Sequence, residues 1–213
     1  MKKHLTDTDI NNLERFPKVN LMNSATGYKS ANLIGTKNPK GVTNLAVFNS
    51  VCHLGSSPAL IHFTLRPHTV ARHTYENILE TKYFTINQIN TSIVGQAHYT
   101  AASFNANVSE FEATGLVEEY KNDFYAPYVQ QSAIQIGCEY VNTYEIKENG
   151  CLLVIGAIKH LYFEDHIQAK DGFLNLEDGQ TVCINGLDQY AVPKPLARFE
   201  YARPNEDIKE KTI

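Results

Sequence analysis

The sequence predicts a mainly β fold, with antiparallel strands closed into a barrel or α+β sheet and interrupted by small helices. Three observations carry this. Strand-like segments follow one another with short turns between residues 29 and 65. A second pair of segments, 133–144 and 151–160, flanks KENG at 147–150, a good hairpin turn. No β–α–β alternation runs through the chain, which argues against a doubly wound sheet.

Taken in order, residues 1–16 hold a short helix beginning after Thr6 or Asp7, with Ile10, Leu13 and Phe16 on one face and Pro17 ending it. Residues 18–27 are polar and turn-like. Residues 29–36 (KSANLIGT) read as a strand and 37–41 (KNPKG) as a tight connection. A strand at 43–52, a turn at 54–58 and a strand at 59–65 complete an antiparallel meander.

Arg66 and Pro67 end the third strand. A helix follows through Tyr75, Ile78 and Leu79, starting between Thr69 and Thr74. Residues 83–89 (YFTINQI) alternate as a strand. Val94, Ala97, Ala101 and Phe104 recur at helical spacing within 93–104. Residues 105–128 are irregular and rich in acids and aromatics. In the hairpin, 151–160 (CLLVIGAIKH) is the most apolar segment and is expected to be central, with 161–163 extending it. Turn signals at Asp171-Gly172 and Asp178-Gly179 flank a short piece, 173–176. The chain of 213 residues is expected to form one domain, with an N-terminal extension at 1–16 and a loose charged tail at 204–213.

Composition narrows the function classes. A formal charge of −4 with pI near 6.1 gives no basic footprint for nucleic acid. No apolar run approaches the length of a membrane span, and MKKHLTDTDI has no apolar signal core. Cys52, Cys138, Cys151 and Cys183 are far apart and form no CxxC or Cys/His cluster, so no metal site is expected. Free thiols in a reducing cytosol, and a cytoplasmic protein, are the simplest reading. Twelve Tyr and ten Phe without Trp suit a sheet-rich fold.

The stretch at 41–66 (GVTNLAVFNSVCHLGSSPALIHFTLR) is unusual. Its first strand mixes apolar positions with small polar ones, through Asn44, Ala46, Phe48 and Ser50. Asn and Ser are poor strand formers, so something should use their hydrogen-bonding groups. Two readings fit: an edge strand with one wet face, or a flat polar ligand lying along the strand.

Two neighbourhoods look suited to an anion or a close-lying body. Arg66 ends a strand, and Arg72-His73-Thr74 stands near a helix start. A phosphate wants a guanidinium fork, a hydroxyl and free helix N-terminal amides. Solvated surface arginines would read the same way. The small residues of HYTAAS at 98–103 permit close approach of a ligand, or simple helix packing through Ala97 and Ala101. No GxGxxG, Walker loop or GxSxG motif is present, and no catalytic residue is assigned.

The chain resembles the flavin reductase-like, FMN-binding split-barrel family. The phrases are NLIGT (32–36), GVTNLAVFNSVCHLGSSPAL (41–60), RPHTVARHTYENI (66–78), YFTIN (83–87), AHYTAASF (97–104), SEFEATGL (109–116) and VIGAI (154–158), in the family's order. The resemblance implies a six-stranded antiparallel split barrel with small helices, and a homodimer. It implies FMN along the strand at 43–51, with Asn44, Asn49 and Ser50 meeting the polar edge or ribityl chain. Leu45, Ala46, Phe48 and Val51 belong to the same candidate strand. Arg66, assisted by Arg72 and Thr74, holds the phosphate, with His73 beside them. Asn87 joins the candidates from YFTIN, and His98, Thr100, Ala101 and Ser103 face the cofactor from the second helix. The implied reaction is hydride transfer from NADH or NADPH to the flavin. An electron carrier reduced by a partner is the alternative. The chain departs from the family where it has His73 in place of an acid, Ser57-Pro58 in place of Pro-Pro, and Gly156-Ala157 in place of Gly-Glu. The aromatic segment 104–128 is the expected dimer contact, or else folds back over its own barrel.

Overall fold

The computed structural model describes residues 1–67 and 70–211. His68 and Thr69, inside the expected phosphate segment, lie outside the described residues, as do Thr212 and Ile213 of the tail.

The chain opens with α1 (Asp7–Asn11) and α2 (Arg15–Ser24). Thr6 caps α1: its hydroxyl oxygen accepts from the Asp9 amide, and the Asp9 carboxylate accepts from the Thr6 amide. The expected end at Pro17 is corrected. Pro17 lies in the first turn of α2, where its missing N–H costs no helical bond, so residues expected as turns continue the helix to Ser24.

Five strands follow: β1 (Lys29–Ser30), β2 (Asn32–Lys37), β3 (Thr43–Phe48), β4 (Cys52–Ser56) and β5 (Ala59–Leu65). Then come α3 (His73–Thr81), β6 (Tyr83–Gln88), and the short α4 (Val94–Tyr99) and α5 (Glu110–Thr114). β7 (Glu118–Glu119) and β8 (Tyr128–Val129) precede the long hairpin of β9 (Ile134–Ile146) and β10 (Cys151–Phe163), and β11 (Cys183–Asn185) and β12 (Gln189–Ala191) follow it.

The main sheet has seven strands in the order β3-β2-β6-β9-β10-β5-β4, all antiparallel. The mainly β, antiparallel expectation holds, but the meander does not. The strand expected at 43–52 ends at Phe48, and β4 starts at Cys52 and runs to Ser56, through most of the turn expected at 54–58; β3 and β4 occupy opposite edges of the sheet. Only Asn49, Ser50 and Val51 separate them in the chain. An extended chain advances roughly 3.5 Å per residue, so those edges stand close together and the sheet must curl. Curling is what makes the barrel, and the short link is where it is split.

Interior positions follow the period of two. One cluster gathers Ile34, Phe63, Phe84, Ile86 and Val154; another gathers Leu33, Leu45, Ile89, Phe111 and Val129. Phe63 meets Phe48 and Phe84 edge-on, with ring centroids 5.2 and 5.6 Å away. Gly156 makes room for this series: a Cβ there would stand 2.5 Å from Phe84 Cζ. The apolar segment expected to be central is β10, one place off centre, while β9 takes the middle and β2 and β6 are the most deeply buried.

The aromatic segment folds onto its own barrel. Phe111, Phe124 and Tyr128 are buried within the chain. The tail also has partners: Lys211 N donates to Arg198 O, Glu200 N to Lys209 O, and the Arg198 guanidinium meets Asp171 at 2.8 Å. Among the described residues, no helix is long and apolar enough to cross a membrane.

Candidate functional site

The site is built around edge strand β3. One side of β3 pairs with β2; the other has no strand beside it among the described residues. Side chains from the head of α5 take that place. Glu110 Oε2 accepts the Leu45 amide at 2.9 Å, and the Thr43 and Ser109 hydroxyls meet at 2.7 Å. Thr43 Oγ1 also donates to Glu118 Oε1 at 2.6 Å. On the groove side, Asn44 Nδ2 donates to Thr74 Oγ1 at 3.0 Å and ties β3 to the first turn of α3.

The polar residues after Asn44 are likewise engaged. Asn49 Nδ2 donates to Gly186 O at 2.9 Å. Ser50 Oγ donates to Thr64 O at 2.9 Å and accepts the Thr64 amide at 3.1 Å. One side chain thus stitches the link between β3 and β4 to β5, in the manner of a missing strand neighbour.

Above β3 runs an open groove of about 1050 Å³, the size of a large small-molecule site. Asn44, Ala46, Phe48, Asn49 and Ser50 line its floor. Arg66, Arg72, His73 and Thr74 line one wall, and His98, Thr100, Ala101 and Ser103 another. Three expected residues are not brought there. Leu45 and Val51 point into the core. Asn87 is buried on β6, where it donates to Leu33 O and Thr85 Oγ1 and accepts the Val129 amide.

The wall at the α3 end is rich in unused donors. Arg72 is half-buried, and its Nε is a buried nitrogen with no hydrogen-bond partner among the described residues. Such an orphan is expensive unless something fills it. Arg72 stands immediately before His73, so the His73 and Thr74 amides of the first helical turn lie beside it. Thr74 Oγ1 accepts from Asn44, which leaves its own proton to give. Arg66, by contrast, is exposed. The chemistry that completes this corner is an anion with several acceptor oxygens.

Glu110 also lines the groove, although its own segment reads as irregular in sequence. Burial pushes its carboxyl above the ordinary range, opposed by the Leu45 amide and by the nearby His73. Its signal was Ser109 followed by an acid at the head of a short helix. Leu187 and Asp188 join the rim from the turn after β11, and Asn23 from α2. His98 Nδ1 lies 3.3 Å from Tyr190 OH, with the rings edge to face. Among the described residues, no group of three or more His, Cys, Asp or Glu could hold a metal ion.

Comparisons with known proteins fit this architecture. A crystal structure from Shewanella frigidimarina, of a protein assigned as a flavin reductase with a split barrel domain, is 44% identical with a TM-score of 0.91, covering 94% of this chain and all of that one. Nitrilotriacetate monooxygenase component B from Bacillus cereus shares the fold at 18% identity and TM-score 0.81, over 92% of this chain and all of that one. An FMN-binding protein from Thermus thermophilus, with bound 1-cyclohex-2-enone, does so at 13% identity and TM-score 0.71, over 93% of this chain and all of that one. The flavin reductase like domain matches residues 28–184, from β1 through β11. With that match over most of its length, the chain belongs to the flavin reductase-like family of split-barrel proteins.

Proposed function

We propose that the chain binds FMN along β3 and is an NAD(P)H-dependent flavin reductase. The carrying observation is Arg72, whose half-buried guanidinium keeps one buried nitrogen unpartnered among the described residues, beside the N-terminus of α3. A phosphate would satisfy that nitrogen, the helix amides and the Thr74 hydroxyl together. Burial makes Arg72 the principal clamp and exposed Arg66 its assistant, the reverse of the order that position along the sequence suggests. The family membership and the FMN-binding Thermus thermophilus neighbour support the same ligand.

A bound flavin supplies the N5 atom that takes a hydride from nicotinamide; the protein supplies orientation and a dry face. Ala46, Val47 and Phe48 offer a half-buried floor, while His98 and Thr100 face the groove from the α4 side. No side-chain acid or base is required by hydride transfer itself, which fits a groove whose polar floor residues are occupied with structure.

Anaerobic stopped-flow mixing with NADH and with NADPH tests the activity. Rapid bleaching of the flavin band with either donor is expected. No bleaching with either leaves a flavin-binding electron carrier and overturns the reductase. The proposal includes a twofold homodimer. Its contact is sought away from the buried aromatic segment, where Val141 and Tyr144 are exposed on β9. A monomeric mass by light scattering at micromolar concentration would reject the dimer.

A further inference from the structure

A neutral ring that accepts a hydride becomes an anion. In a partly desolvated groove that charge needs a donor or a cation beside it. Among the described residues, four basic side chains line the groove: Arg66, Arg72, His73 and His98. The first three stand on the anion wall beside the start of α3. His98 stands elsewhere.

The fold sets it toward the other end of the floor. Asn44 is tied to Thr74 at the anion wall. Three residues further along β3, roughly 10 Å at the rise of a strand, Val47 packs against the same core cluster as Val94 of α4 and Tyr190 of β12. Asn49 then donates to Gly186 O in the turn between β11 and β12. His98, in the last turn of α4, meets Tyr190 on this side. Its Nδ1 lies 3.3 Å from the phenol oxygen, and the rings cross at 88° with centroids 5.8 Å apart. A phosphate held at Arg72 leaves the rest of an extended FMN to reach toward this pair.

Tyr190 decides what His98 has to offer. Burial, with Asp188 nearby, pushes the phenol above its ordinary range, so it keeps its proton and can donate to Nδ1. The proton of a neutral imidazole is then on Nε2, which has no partner among the described residues. Neighbouring donors are spent: Thr100 Oγ1 donates to Ala97 O, and Asn49 Nδ2 to Gly186 O.

We infer that His98, held by Tyr190, donates through Nε2 to the flavin ring and balances the negative charge that the ring gains on reduction. This rests on the flavin reading, but on no particular hydride donor. In the transfer the donor's C–H bond breaks, the hydrogen and its electron pair pass to N5, and the donor leaves oxidised. His98 shares its proton without losing it. Tyr190 is a positioning residue that acts through the imidazole.

The test compares affinities for oxidised and for chemically reduced FMN, titrated anaerobically at neutral pH with no turnover. His98→Leu should lower the preference for the reduced form about tenfold, equivalent to ~30 mV in a two-electron potential. His98→Gln, which keeps a neutral N–H donor, should fall between His98→Leu and the native protein. Tyr190→Phe should lower the preference about threefold, because the imidazole remains but is no longer held, while oxidised FMN binds every variant within about threefold of native. Equal losses for both forms of FMN would make His98 a packing residue. An unchanged preference in His98→Leu would remove it from the ring. Either result overturns the inference. A native protein that binds neither form of FMN defeats the flavin reading itself, and the role of His98 falls with it.

Discussion

The floor of the groove and its α3 wall are both polar, yet they differ in what their polar groups are doing. On the floor, the Asn44, Asn49 and Ser50 side chains donate within the protein. On the wall, Arg72 Nε is buried and has no partner among the described residues. A polar residue in a strand therefore says little about a ligand until its bonds are traced. An unsatisfied buried donor says more, because its desolvation cost remains until something binds. The floor should answer to stability measurements and the wall to anion affinity.

The sharpest break of this contrast is Arg72→Ala. Losing one partner of a desolvated charge pair costs about 2–4 kcal/mol, roughly 30-fold to 1000-fold in FMN affinity. Riboflavin, which lacks the phosphate, should lose little, and thermal stability should hardly move. Equal losses for both flavins, measured by fluorescence titration, would show that Arg72 supports the ring site or the fold instead.

Ser50→Ala attacks the floor. It deletes two hydrogen bonds and strands the Thr64 amide, at a cost of about 1–3 kcal/mol. The Tm should fall by about 2–4 °C for each kcal/mol in a domain of this size. FMN and riboflavin should respond alike. An unchanged Tm with selective loss of FMN would place Ser50 on the ligand rather than in the barrel closure.

A smaller effect is expected from Arg66→Ala. An exposed arginine is screened, so FMN should weaken by less than about 1 kcal/mol. A loss matching that of Arg72→Ala would restore Arg66 as the principal clamp.

The subtlest test concerns Glu110. Its folded carboxyl is raised by burial, so the folded state holds the proton more tightly than the unfolded state. Stability from this group is then present at low pH and declines as pH rises from the unfolded value through the folded one. Glu110→Gln keeps an oxygen to accept the Leu45 amide and removes the titration. Its Tm relative to the native protein should improve as pH rises across that window. A difference that stays flat from pH 4 to 8 would contradict the raised carboxyl.

Much of the architecture was legible in sequence. The β9–β10 hairpin was readable because strong apolar runs flank a turn. The start of α3 was readable from Arg72 to Thr74. Other features were hidden for physical reasons. Pro17 reads as a helix stop, although the first turn tolerates it equally well. Residues 43–52 look like one strand because nothing local marks the point where the chain crosses from one sheet edge to the other. That crossing is decided by β2, β5 and their distant partners. Most of the candidate residues border the groove, but Leu45, Val51 and Asn87 face elsewhere, since side-chain direction depends on register and not on membership of a motif. Glu110 escaped notice because a lone acid among loop residues looks solvated.

The Leu45–Glu110 bond has a consequence outside the groove. An edge strand with free amides is a template on which another chain can add a strand. On β3, the Leu45 amide is claimed by a carboxylate from α5, and the neighbouring Thr43 is held by Ser109 and Glu118. The same carboxylate that borders the groove therefore blunts a sticky edge.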